Sequence, residues 1–440
     1  MKYFASLALV SLLFSAPAFA QVDPAFYSLL DKEAAAIEQK VIEWRRHFHE
    51  NPELSNREFN TGKYIAEYLK TLNLEVSHPM AKTGVVAILK GAKPGPVIAL
   101  RADMDALPVT ERNGLPFMSK VTAKQGEITT GVMHACGHDS HMAILLGVAD
   151  ILSRNRSKLK GTIKFIFQPA EEDWAPGDTD GGAHMLVKEG VLENPHVDAI
   201  FGLHIQSMLP SGTIAYRAEG LMAAVDGFDI NVKGVGAHGA TPWDGVDPVV
   251  VAAQIVNALQ TVVSRQVDIT KTPAVITVAT IHGGVRRNII PEEVVLQGTI
   301  RTFDTAEQRL VHERIRRTAE AVAASQGATV KTTIQVGSPL TYNDPKLTAM
   351  MAPSLVRSIG QDKVKVTPPV TMAEDFSFYT LGTGVPGLFF FLGAYPADMK
   401  LAAKPVHHTP DFMLDEKAFV TGVRAMLHLS TDYLFAPQGK

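Results

Sequence analysis

The chain has one cysteine in 440 residues, no surplus of positive charge and no low-complexity tract. A single thiol excludes an intrachain disulfide framework, so the fold has to be held by packing. Lys+Arg 42 against Asp+Glu 45 leaves a formal charge of -3, too little positive field to hold a phosphate backbone, and nucleic acid is not expected as a partner. No short repeat is present, which excludes a solenoid or propeller built from self-similar units. The long apolar run at the amino terminus falls short of the ~20 residues a bilayer span needs, so stable membrane insertion is not expected either.

What is present is 46% hydrophobic residues in a chain too long for one average domain. Two domains are expected, one interrupted in sequence by the other. Lys2 precedes "YFASLALVSLLFSAPAFA", which ends in small residues at Ala18 and Ala20, the A-x-A pattern of a cleavable export signal. Residues 1–20 are therefore expected to be removed, with the mature protein periplasmic or secreted. The alternatives are an uncleaved anchor or a core helix, and Pro17 breaks the end of either. In an oxidising compartment an unpaired cysteine needs a reason: it is a small buried hydrophobe or it binds something.

That cysteine is Cys136, in "HACGHD" at residues 134–139. A thiolate and the imidazole of His138, two positions apart on a glycine-containing turn, suit a transition metal, and binding also deprotonates the thiol. The following "SHMAILLGVADIL" has helical spacing, so the turn leads into a helix. Three other segments share one design. "GPVIALRADMDALP" reads as a buried strand, Val97 to Leu100, with Asp103 and Asp105 past its end. In "GTIKFIFQPAEE" a strand from Ile163 to Phe167 leads to Glu171 and Glu172, and "VDAIFGLHI" leads to His204. In open α/β sheets ligands bind outside the carboxyl ends of the strands, so these groups are expected to converge. Singly, each has a plainer reading as a solvated acid pair or a satisfied core histidine.

Together "RADMDALPVTE", "GVMHACGHDSHMAILLG", "FQPAEE", "FGLHI", "GVGAHGATPWDGVDP", "NIIPEEVVLQGTIRTFD", "AEDFSFY" and "HHTPDF" resemble the aminoacylase, hippurate hydrolase and auxin-conjugate amidohydrolase family of di-metal enzymes. The match runs in order from about Trp44 to the C-terminal helix. The resemblance implies an α/β fold: a di-metal exopeptidase-like catalytic domain, with a central mixed sheet flanked by helices, and an inserted smaller α+β lid and dimerisation domain. Its divisions would be catalytic residues 21–217, lid residues 218–337 and catalytic residues 338–440. It also implies that Cys136, His138, Glu172, His204 and His408 hold two divalent metal ions, that Glu171 is the general base, and that Asp105 orients the site. His408 is preferred to His407 because the family's ligand stands just before a small residue and a proline. Thiolate and imidazole suit zinc, whereas carboxylate and imidazole also suit manganese, cobalt or nickel.

Within the lid the resemblance assigns substrate contacts to His238, Asn288 and Arg301, whose plainer readings are a satisfied turn histidine, a turn residue before a strand and an arginine paired on the lid's own surface; it also implies pairing of two copies through an edge strand or helices, giving a homodimer. Arg286 and Arg287 depart from the family pattern; they are a solvated pair or they favour anionic substrates. Trp174, in the segment after the glutamate pair, shapes the acyl pocket or covers the surface. The expected reaction is hydrolysis of the amide bond of N-acyl amino acids by metal-activated water with a glutamate base. Two other functions stay open: a metallo-dipeptidase or aminopeptidase of the same architecture, and a non-catalytic periplasmic binding protein, which would need no base beside a ligand.

Overall fold

The computed structural model describes residues 22–172, 180–396 and 406–436. The amino-terminal run read as an export signal and Trp174 lie outside them. Among the described residues the larger unit is a mixed sheet with the spatial order Glu75–Met80, Gly84–Lys90, Lys160–Gln168, Lys93–Asp103, Ala199–Pro210, Gly387–Tyr395, Ile214–Tyr216 and Val364–Val366. Its four middle strands run parallel. They are covered on both faces, which is why "VIALRA", "IKFIF" and "LFFFLG" read as continuous apolar runs instead of alternating ones.

Three helices supply most of the cover on one face: Pro24–Glu50, His138–Arg154 and Phe419–Phe435, packed on one another. The first starts at Asp23, whose carboxylate accepts the Ala25 N–H, with proline at the first turn. It buries Leu30, Ala34, Ile37, Val41, Trp44 and Phe48, a stripe at three- and four-residue spacing. The helix His138–Arg154 is buried from His138 to Leu152 on every side, as an apolar core helix must be. Truncating Leu145 to alanine there would cost about 2–5 kcal/mol.

The smaller unit is a four-stranded antiparallel sheet in the order Ala274–Gly283, Glu293–Thr302, Ala224–Lys233, Thr329–Val336. Helices Pro248–Gln266 and Thr305–Ser325 cover one face, packing Ile255, Leu259, Val311 and Ile315 against Phe228, Ile230 and Leu296. The chain crosses between the units through Glu219–Met222, which pairs antiparallel with the returning Thr341–Asn343. No helix among the described residues is long and apolar enough to cross a membrane.

Three strands differ from their sequence reading. Lys93–Asp103 and Lys160–Gln168 extend further than their apolar cores because polar ends still pair in register. His204 lies inside its strand instead of beyond it: Ala199–Pro210 continues against Gly387–Tyr395 after its other neighbour has ended at Asp103.

Candidate metal centre

The parallel registers bring the polar groups level. Asp103 pairs with Gln168, and Arg101 with Gly202, so His204 stands two residues past that pairing, beside Asp103. The "HACGHD" turn is set against them by Gly137, which takes φ +103° at the start of helix His138–Arg154. A Cβ on Gly137 would lie 2.4 Å from Ile205 Cγ2, so only glycine lets the turn approach this strand.

Backbone contacts fix which nitrogen each histidine presents. His138 Nδ1 lies 2.8 Å from the Asp105 carbonyl, and His204 Nδ1 lies 2.6 Å from the Ile205 carbonyl. A carbonyl only accepts, so both Nδ1 atoms carry the proton and both Nε2 atoms offer a lone pair. His204 Nε2 is 3.3 Å from Cys136 Sγ. His138 Nε2 is buried with no hydrogen-bond partner among the described residues, and faces Asp103, Glu171 and Glu172 at 3.7, 3.8 and 3.9 Å.

His408 Nε2 lies 3.3 Å from Cys136 Sγ and 3.1 Å from Glu172 Oε1. His407 is occupied differently: its Nε2 accepts the Ser207 N–H at 3.1 Å, so Nδ1 carries the proton and lies 3.1 Å from the Cys136 carbonyl. Two donor triads result, Cys136–His138–His204 and Cys136–Glu172–His408, sharing one sulfur.

Further carboxylates surround these groups. Asp103 accepts from His141 Nδ1 at 2.6 Å, while His141 Nε2 accepts the Ile205 N–H. Arg101, fully buried, donates to Asp103, Glu374, Asp375 and Gln168 at 2.7–2.9 Å. Asp105 is anchored by the Ser55 hydroxyl at 2.6 Å. Glu171 sits beside Glu374 and Asp375, and burial followed by the charges of Glu374 and Glu172 pushes its carboxyl well above the usual range. Burial and then Glu172 and Glu171 push the Cys136 thiol up in the same way. Against burial, Asp103 and Asp105 raise His138 to about 10, so without a cation its Nε2 holds a second proton, which a bound divalent ion would replace. After burial, the neighbouring carboxylates act in the same sense on all three groups. Lone pairs of sulfur, imidazole and carboxylate facing a common point, among these carboxylates, fit divalent cations.

Sequence reading missed Arg101, His141, Ser55 and the roles of Glu374 and Asp375. The quoted "RADMDALP" and "AEDF" contain several of them, but their pairing spans more than 270 residues.

In the lid, His238 pairs with Ile289 across a two-residue ladder, and the Asn288 carbonyl accepts the Gly239 N–H, so His238 and Asn288 are neighbours. Both are exposed, as are Arg286 and Arg287. Arg301 is half-buried in strand Glu293–Thr302, where burial lowers its pKa and its guanidinium donates to the Ile300 carbonyl. Among the described residues no hydrogen bond or ion pair joins these side chains to the thiol–imidazole cluster.

A doubly covered mixed sheet that gathers thiol, imidazole and carboxylate groups at its carboxyl edge, with a smaller α+β unit inserted, defines a metal-dependent hydrolase of the exopeptidase type. The chain belongs to peptidase family M20/M25/M40, whose family model matches residues 99–432. It is 40% identical over 398 residues to thermostable carboxypeptidase 2 of Saccharolobus solfataricus, covering 90% of this chain and 96% of that one. It is 43% identical over 293 residues to N-acyl-L-amino acid amidohydrolase of Geobacillus stearothermophilus, covering 66% and 75%. A crystal structure of a Bacillus subtilis dinuclear metal binding peptidase from the M20 family superposes with a TM-score of 0.75 at 35% identity, covering 92% and 100%.

Proposed function

We propose that the protein is an exported amidohydrolase that cleaves the amide bond of N-acyl amino acids with two divalent ions held by Cys136, His138, Glu172, His204 and His408. The observation that carries this reading is the pair of donor triads sharing the Cys136 sulfur, with Glu171 beside both. When bound, the ions supply Lewis acidity to the amide carbonyl and to the attacking water. Glu171 takes the proton from that water and delivers it to the leaving nitrogen, a shuttle suited to its place beside His138 and Glu172. Asp105 orients His138 through its backbone carbonyl. Zinc or manganese suits the mixed donor set best, with cobalt and nickel next.

An apolar acyl group has a recess available. A cavity of about 450 Å³ is lined by Leu54, Leu107, Pro108 and Val132 with Glu53, Arg57 and Lys124 among them, and Ser55 in its wall bonds Asp105. His238, Asn288 and Arg301 would meet the amino-acid carboxylate and carbonyl. The edge strand Ala274–Gly283 would pair two copies into a homodimer. A carboxypeptidase among the relatives supports a second reading, cleavage of peptides by the same machinery. Hydrolysis of N-acetyl, N-benzoyl and long-chain acyl amino acids beside dipeptides, by the reloaded protein, separates the two. Preference for dipeptides across the panel overturns the first.

A further inference from the structure

The turn that carries Glu171 and Glu172 is held by a buried residue that touches neither. Strand Lys160–Gln168 is followed by Pro169 and Ala170, and Ala170 adopts φ +46°, the left-handed region that a residue with a Cβ rarely enters. Such a conformation persists only when its surroundings hold it. The Ala170 N–H donates to Glu58 Oε1 at 2.8 Å, and the Ala170 carbonyl accepts the Gly182 N–H at 2.9 Å. A Cβ on Gly182 would lie 1.6 Å from the Pro169 carbonyl oxygen, so the backbone of residue 182 closes the turn from behind. Beyond it, the Glu172 N–H donates to Asp105 Oδ2 at 3.0 Å.

Glu58 is itself fixed. It is 0% exposed, and its second oxygen accepts the Thr83 hydroxyl at 2.6 Å. Its carbonyl accepts the Gly62 N–H at 2.8 Å, in the first turn of helix Phe59–Thr71. One carboxyl group thus links a helix start, the segment before strand Gly84–Lys90, and the turn bearing both acidic residues. We propose that Glu58 is a positioning residue: with Thr83 it fixes the Ala170 turn, and through it the directions of Glu171 and Glu172. The inference rests on the reading above in naming Glu171 as the base and Glu172 as a ligand. Burial, and after it the charge of Asp105, raise the Glu58 carboxyl to about 8, so near neutral pH it is a neutral acid that a glutamine can imitate.

The test uses the full chain with Glu58→Gln, Glu58→Ala and Thr83→Val, reading kcat, KM and metal affinity by chelator competition. Glu58→Ala is expected to lower kcat about 10- to 100-fold with KM nearly unchanged, and to weaken one of two metal equivalents about tenfold. Glu58→Gln can accept the Ala170 N–H with its amide oxygen and donate from its amide nitrogen to Thr83 Oγ1, and is expected to restore kcat and metal affinity to within about threefold of the original. Thr83→Val is expected to fall between them. A folded Glu58→Ala with unchanged kcat and metal affinity overturns the proposal. So does a folded Glu58→Gln as impaired as Glu58→Ala. If Glu58→Ala does not fold, Thr83→Val decides, and unchanged kcat and metal affinity there overturn it. Should the unsubstituted protein bind two metals yet cleave no acyl amino acid, the functional reading fails while the metal affinities of these variants still decide the role of Glu58.

Discussion

At the sheet edge, His138, His141 and His204 each have one ring nitrogen tied to a backbone group, and Arg101 is enclosed by four side chains. In the smaller unit His238 likewise has one ring nitrogen tied to the backbone, its Nδ1 accepting the Ala240 N–H at 3.1 Å, but it and Asn288 are exposed, with Val285 95% exposed beside Arg286. The first region has its proton positions and directions set before any ligand arrives. The second has one tautomer set in the same way, but its side chains stand in solvent. What separates the two regions is burial: His138, His141 and His204 are enclosed by the parallel strands and a core helix, whereas the short ladder of the inserted unit is open to solvent.

The comparison breaks most sharply at Glu171. Glu171→Gln is expected to lower kcat about a thousandfold while leaving folding and metal content intact, as measured by steady-state kinetics beside metal analysis. A small effect would remove the base from the account. Arg101→Met leaves Asp103, Glu374 and Asp375 without their shared cation, and urea unfolding is expected to show a loss of about 3–5 kcal/mol. His238→Ala, from the exposed region, is expected to lower kcat/KM about 10- to 100-fold with an unchanged melting temperature. A lowered melting temperature would place it with the first region.

A pH experiment sharpens the contrast further. The folded pKa of Glu58, about 8, exceeds its ordinary 4.5. Its contribution to stability is then fully present below 4.5 and is lost as pH rises toward about 8. Glu58→Gln has no such titration, so the stability of the unsubstituted protein relative to this variant should fall between pH ~5 and ~8. A constant difference would mean that the carboxyl is not buried as described. The smallest effect is expected from Arg287→Ala, within about threefold in kcat/KM. Equal changes on acidic and neutral acyl amino acids would mark Arg286 and Arg287 as a solvated pair.

Much of the centre could be read from the sequence because strand ends and a helix start announce themselves by apolar runs and glycine. Cys136, His138, Glu171, Glu172 and His204 follow such signals directly. Arg101 does not, since an arginine inside a strand looks like a surface residue until Glu374 and Asp375, 273 and 274 positions away, are folded onto it. Glu58 was hidden for the opposite reason: "NPELSNRE" reads as a polar loop, yet it folds inward against the Ala170 turn. The adjacent histidines 407 and 408 were equivalent in composition, and their hydrogen bonds distinguish them: Ser207 occupies one while the other faces Cys136 and Glu172.

The most direct test of the shared-thiol centre is a titration of the metal-stripped protein with zinc or manganese, counting bound metal and measuring turnover of an N-acyl amino acid at each addition. The account predicts no turnover without metal and a plateau near two equivalents, and neither in Cys136→Ala. Full turnover in the stripped protein, or a Cys136→Ala protein that still binds two equivalents and works normally, would contradict it.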